Sequence, residues 1–151
     1  MQTLIDRLSA LVDKNTLVIA DDISEKYHAD WSGADPCEPA ALLKPKSTEE
    51  LSQIMALCHE YDQPVVVQGG LTGLAGGATP QAGEFAISLE RMAGIEAIDA
   101  RAMTVTAHAG TPLQVCKIPR LNIIYLCPSI SVLAAAATLA VMWRPMPEAL
   151  R

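Results

Sequence analysis

The chain has 151 residues, half of them apolar and 19% charged, a balance that fits one globular domain or a piece of a larger one and excludes a disordered chain. A net charge of −6 leaves no stripe of Lys and Arg to neutralise phosphates, so no nucleic-acid partner is expected. Cys37, Cys58, Cys116 and Cys127 show neither a Cys-x-x-Cys pair nor zinc spacing, and the first residues lack the basic and apolar regions of a signal peptide, which together suggest reduced thiols and a cytoplasmic setting.

Leu4, Ile5, Leu8, Leu11 and Val12 recur at helical spacing, so residues 3–13 are expected to form a short amphipathic helix used for packing. Leu17, Val18 and Ile19 make a brief apolar run, followed by a polar segment that ends at His28, which reads as a solvated histidine. Trp31 lies in the turn-prone stretch Ala29-Asp30-Trp31-Ser32-Gly33 and reads as a packing residue, in the core or as a lid. Ala41, Leu42 and Leu43 read as a strand ended by Pro45, which cannot donate to a ladder. Ser47-Thr48-Glu49-Glu50 has the form of a capping box, in which Ser47 and Glu50 each accept from the other's backbone N–H. The helix that follows is expected over residues 48–61, with Leu51, Ile54, Met55 and Cys58 on its buried face and His59 at the surface beside it.

Residues 64–80, Pro-Val-Val-Val-Gln-Gly-Gly-Leu-Thr-Gly-Leu-Ala-Gly-Gly-Ala-Thr-Pro, organise the rest. The β-branched run Val65-Val66-Val67 prefers an extended, buried strand. Gly69, Gly70, Gly73, Gly76 and Gly77 then fall close together, and ordering that many glycines is costly unless a ligand rewards it. Backbone free of Cβ atoms can turn through positive φ and present successive N–H groups as an anion-binding nest. A Walker A loop is excluded, because Ala78 and Thr79 stand where Lys and Ser or Thr are needed. The Gly-x-Gly-x-x-Gly fingerprint is excluded too, since Gly70, Gly73 and Gly76 are evenly spaced and no amphipathic helix follows. A flexible linker would pair Gly with Ser rather than with Leu, Ala and Val.

Beyond the loop, Phe85-Ala86-Ile87-Ser88-Leu89 alternates as a strand, and residues 95–99 and 103–108 read as a hairpin turning at Arg101 and Ala102. Gly110-Thr111-Pro112-Leu113 leads into a helix with Pro at its first position.

The loop resembles the pyrophosphate loop of the FAD-linked oxidases and dehydrogenases that carry a vanillyl-alcohol-oxidase or PCMH-type flavin domain. It is most similar to the D-2-hydroxyglutarate and D-lactate dehydrogenase branch, where Gln-Gly-Gly runs into x-Thr-Gly-Leu-x-Gly-Gly. Tyr27, Asp30 and Trp31 match a Tyr-x-x-Asp-Trp segment of the same branch, so the resemblance spans most of residues 27–114. It implies an α+β fold, the N-terminal and incomplete part of a PCMH-type FAD-binding domain, with a small sheet and flanking helices. It also implies that backbone N–H groups of Gln68, Gly69, Gly70, Leu71, Thr72 and Gly73 hold the FAD diphosphate, with Leu74, Gly76 and Gly77 completing the turn. Some members tether the flavin through a His in this loop; Leu71 takes the candidate position here, which implies non-covalent FAD. His108 is the histidine expected near the flavin, as a strand residue beside a turn.

The implied organisation is an N-terminal helix and linker over 1–26, a partial FAD-binding domain over 27–115, and a tail over 116–151. The family's reaction moves hydride from the carbon bearing a hydroxyl, in a small 2-hydroxy acid, to flavin N5. Its base and substrate-carboxylate residues lie in a later domain, so no catalytic or metal-binding residue is assigned, and the chain alone is expected to be inactive. From Cys116 the family pattern stops. Residues 121–143 carry no charge and exceed the roughly 20 apolar residues that span a bilayer, yet Asn122, Pro128, Ser129, Ser131 and Thr138 interrupt them, so a membrane anchor is the lesser alternative. Codons for residues 127–148, read one base earlier, can spell the family's second flavin-binding stretch, which points to a one-base loss near Val115 and an out-of-frame tail. The remaining alternative is a truncated, non-catalytic product with little affinity for FAD.

Overall fold

The structure is a computed structural model that describes residues 2–99, 101, 104–113 and 115. The tail from Cys116, its apolar run over 121–143, Cys127 and most of the helix expected after Pro112 lie outside the described residues.

Helix α1 (Gln2–Leu11) opens the chain. Leu4, Leu8 and Val12, one turn apart, are buried, whereas Leu11 stays 40% exposed on the flank of that stripe. Strand β1 (Leu17–Val18) follows, then two single 3-10 turns, Ala20–Asp22 and Glu25–Tyr27. Strand β2 (Ala41–Leu43) leads into helix α2 (Thr48–Glu60), strand β3 (Val65–Gln68), the glycine loop and strand β4 (Phe85–Ser88). These strands form one sheet in the order β1-β2-β4-β3, with β1 antiparallel to β2 and the other pairs parallel. Strands β5 (Ile95–Asp99) and β6 (Thr104–Ala107) pair separately as an antiparallel hairpin, irregular between Ile95 and Ala97. The class is α+β, as the sequence implies.

The core has two faces, set by the side-chain alternation of β2 and β4. Ala41, Leu43, Phe85 and Ile87 join Leu4, Leu8, Val12, Ile54 and Cys58 on the helical side. Leu42 and Ala86 face the other way, where Ile23 and Tyr27 cover them, with Val18, Val66 and Leu71 packed around. Alternation in β4 therefore does not mean one wet face: all four of its residues are buried, because the segment carrying Ile23 and Tyr27 lies over the side opposite the helices. The valine run departs from expectation in the other direction. Strand β3 ends the sheet, with Val67 51% exposed, so it is an edge rather than a buried strand.

Helix α2 also corrects two details. Met55 is exposed, and Leu57 packs against the core beside Ile54 and Cys58 instead. The cap is only half reciprocal: the Glu50 N–H donates to Ser47 Oγ at 3.2 Å, but the Glu50 carboxylate accepts from the Lys46 N–H at 2.8 Å and the Thr16 hydroxyl at 3.1 Å. A pure capping box would close on Ser47 alone. Here the same carboxylate ties the start of α2 to the residue before β1. Cys37 and Cys58 are both free thiols, and burial pushes the Cys58 thiol up.

Candidate functional site

Strand β3 stops at Gln68, level with Ser88 of β4, so the glycine loop leaves from the carboxyl edge of the parallel strands. Open α/β sheets place their ligands at that edge. Gln68 is fully buried. Its Nε2 donates to the Tyr27 carbonyl at 2.8 Å and to the Ala78 carbonyl at 2.9 Å, joining the start of the loop, its end and the covering segment. Two carbonyl partners fix which end of the amide is nitrogen. That leaves Oε1 buried with no hydrogen-bond partner among the described residues.

Leu71 adopts φ of +56°, a conformation that costs a non-glycine residue roughly 1–2 kcal/mol. Its side chain is turned inward against the cluster of Ile23, Tyr27, Leu42 and Ala86, which anchors the first bend of the loop in the core. Gly73 has little room for a side chain on one side: a Cβ there would lie 3.2 Å from Oδ2 of Asp30. Gly76 adopts φ of +76°, whereas a Cβ at Gly77 would meet nothing. Leu74 is 72% exposed at the tip, and Gly69, Gly70 and Thr72 are partly buried. The N–H groups of Leu71, Thr72, Gly73 and Leu74 have no hydrogen-bond partner among the described residues. A run of such donors on a bend is what an oxyanion needs.

Asp30 closes the loop from outside. Its buried carboxylate accepts from the Ser32 N–H at 3.0 Å, the Thr79 hydroxyl at 3.2 Å and the Ala78 N–H at 3.3 Å, and its own N–H donates to Thr79 Oγ1 at 3.1 Å. The Ser32 side chain above all, against the cost of burial, then the N–H groups of Ser32 and Ala78 and the Thr79 hydroxyl, hold this carboxyl below the usual carboxylate range. Sequence reasoning had Asp30 only as part of a resemblance. No local pattern announces its role, because Ala78 and Thr79 lie 48 and 49 residues further along the chain.

A second polar group lines the same edge. Glu90 accepts from the Tyr27 hydroxyl at 2.7 Å and Lys26 Nζ at 3.0 Å, with Lys44 Nζ at 3.7 Å. Burial first, and its bond to Glu90 next among the raising causes, push the Tyr27 hydroxyl up.

The remaining sequence candidates fall away from this edge or change character. Trp31 is 54% exposed and so does not pack in the core. His28 is not freely solvated: its Nε2 is buried without a hydrogen-bond partner among the described residues. His59 is exposed near the end of α2. His108 faces Glu96, with Nδ1 3.7 Å from the carboxylate, and lines a cleft of about 310 Å³ with Lys46, Ser47 and Arg91 that no loop residue borders. Among the described residues no group of His, Cys, Asp and Glu could hold a metal ion, and no helix is long and apolar enough to cross a membrane.

A family model described as an FAD binding domain matches residues 39–117. A mitochondrial D-2-hydroxyglutarate dehydrogenase of Danio rerio is 36% identical over 93 residues, covering 62% of this chain and 17% of the relative. A D-lactate dehydrogenase of Anaerostipes hadrus is 32% identical over 112 residues, covering 74% of this chain and 23% of the relative. Among solved structures, an alkyldihydroxyacetonephosphate synthase superposes with a TM-score of 0.70 at 19% identity, over 81% of this chain and 25% of that one. The chain thus spans about a fifth of the length of the curated relatives it matches.

Proposed function

The chain belongs to the FAD-binding-domain family, and from that premise we propose that the loop over residues 68–77 holds the FAD diphosphate non-covalently, as the N-terminal part of a flavin-dependent 2-hydroxy-acid dehydrogenase. The observation that carries this reading is the run of N–H groups from Leu71 to Leu74 that have no partner among the described residues, on a bend that Leu71 anchors at positive φ and that Gly73 leaves clear of a side chain. These residues fit a diphosphate. Each N–H offered to an anionic oxygen makes a charge-assisted bond, roughly twice as strong as a neutral one. Gln68 contributes differently from the glycines: its side chain bonds inward to Tyr27 and Ala78, so it holds the loop in shape.

When bound, FAD supplies the acceptor for hydride from the substrate carbon that bears the hydroxyl. The part played by this chain is placement. Leu71 directs an apolar side chain into the core and presents no nucleophile for a covalent tether, which supports a dissociable cofactor. We read the chain as the cofactor-binding portion of such an enzyme, with the base and substrate-carboxylate residues supplied by a later domain. The tail from residue 116 is read as out of frame, and sequencing the gene through and beyond those codons tests this: a restored base that opens the second flavin stretch supports it, and an intact frame with no such stretch overturns it.

Titration of the 151-residue chain with FAD, followed by flavin fluorescence, is expected to give saturable one-site binding. FMN, which lacks the diphosphate, is expected to bind at least tenfold more weakly, the equivalent of about 1.4 kcal/mol. Equal affinities for FAD and FMN, or no saturation by FAD, would remove the diphosphate assignment.

A further inference from the structure

Asp30 lies outside the stretch that matches the family model, yet its carboxylate touches the loop at its middle and at its end. We propose that Asp30 is the positioning residue of this loop: it fixes the loop's closure by binding Ala78 and Thr79, and it is the group that a side chain at residue 73 would crowd. The inference deepens the proposed function and rests on its reading of the loop as a diphosphate site.

The geometry supports a division of labour among the donors. The Ala78 N–H and the Thr79 hydroxyl are directed to the Asp30 carboxylate, so neither is offered to a ligand. Those of Leu71, Thr72, Gly73 and Leu74 have no such internal acceptor among the described residues. The Ser32 N–H fixes the carboxylate from its own side at 3.0 Å, so the acceptor is oriented before it meets the loop. Ser32 also sits under the second bend, its Oγ 3.7 Å from where a Gly76 Cβ would be. The buried negative charge excludes a second anion from its own side of the backbone, since two unit charges at close range and low dielectric repel strongly. Phosphate oxygens are thereby confined to the side away from Asp30. A methyl group at residue 73 would stand 3.2 Å from Oδ2, closer than ordinary contact, and would strain the bonds between the carboxylate and the loop.

Two readouts on the full 151-residue chain test this: hydrogen exchange of amides 70–79 without cofactor, and the Kd for FAD. Asp30→Ala is expected to speed exchange in the loop more than in β4 and to weaken FAD roughly tenfold, the effect of about one charge-assisted bond. Asp30→Asn keeps an oxygen for Ser32 and Thr79 and should recover part of the loss. The decisive result is a double-mutant cycle. Gly73→Ala should weaken FAD in the native background and add little in the Asp30→Ala background, because the contact it offends is already gone. Additive effects of the two substitutions, or unchanged loop exchange in Asp30→Ala, would overturn the proposal. Should Asp30→Ala fail to fold by circular dichroism, Thr79→Val removes one partner and leaves the carboxylate, and unchanged exchange there overturns it equally. If the native chain binds no FAD, the diphosphate reading falls, while the exchange comparison still decides whether Asp30 positions the loop.

Discussion

Strand β4, inside the sheet, and the glycine loop, at the carboxyl edge of its parallel strands, are held by different forces. Phe85, Ala86 and Ile87 are fully buried between α1 and α2 on one face and Ile23 and Tyr27 on the other, so apolar contact on both sides fixes the strand. The loop buries little apolar surface apart from Leu71, and is fixed by a handful of polar bonds from Gln68 and Asp30 to Tyr27, Ala78 and Thr79. Apolar packing is non-directional and tolerates repacking, whereas a polar bond specifies one arrangement of a donor and an acceptor. A scaffold can use the first. A backbone that must aim several N–H groups at one point needs the second.

Substitutions sharpen this contrast. Phe85→Ala is expected to have the largest effect, about 3–5 kcal/mol of stability, because it opens a cavity between the two helices and the sheet. Urea unfolding measures it, and the folded fraction should keep its affinity for FAD. Gln68→Met, similar in length but without donors, should cost about 1–3 kcal/mol by leaving the Tyr27 and Ala78 carbonyls unpaired, offset in part by removal of the orphaned Oε1. Unlike Phe85→Ala it should act locally, speeding amide exchange in the loop before the sheet is affected. Equal global and local losses for the two would erase the distinction between the regions.

Ser47→Ala is expected to cost about 1 kcal/mol, by removing the side-chain acceptor of the Glu50 N–H. A smaller loss would mean that the Glu50 carboxylate, bonded to Lys46 and Thr16, holds the start of α2 without it. The smallest effect concerns Glu90. Burial raises its carboxyl, but the Tyr27 hydroxyl and Lys26 outweigh that and hold it below its ordinary value. A depressed carboxyl stabilises the fold at pH above its unfolded value of about 4.3, and that contribution is lost as pH falls through the folded value. The urea midpoint of the native chain should therefore drop more steeply between pH 5 and pH 3 than that of Glu90→Gln, by a small margin because the group is 38% exposed to screening solvent.

The order of elements was legible along the chain because each depends on neighbours within a few residues. Apolar spacing announced α1, Ser47 with Glu50 announced the start of α2, and the crowded glycines announced a loop after β3. The same local signals misled where burial depends on distant chain. Val65-Val66-Val67 has the composition of a buried strand and is the sheet edge, while the alternating stretch from Phe85 to Ser88 is buried on both faces. Met55 has the spacing of a core residue and faces solvent, since the helix presents Leu57 to the sheet instead. Trp31 reads as a packing residue from its composition, yet about half of it faces solvent.

By itself the sequence determined the kinds of structure present and where the glycine loop falls, because helix periodicity, caps and glycine runs are properties of adjacent residues. Only the tertiary structure decided which strand is central, that Gln68 bonds inward to hold the loop, and that Asp30 sits beneath Gly73. The bonds from Gln68 to Tyr27 and from Ala78 and Thr79 to Asp30 join residues 41, 48 and 49 positions apart, and a contact across such a span exists only once the sheet has brought its ends together.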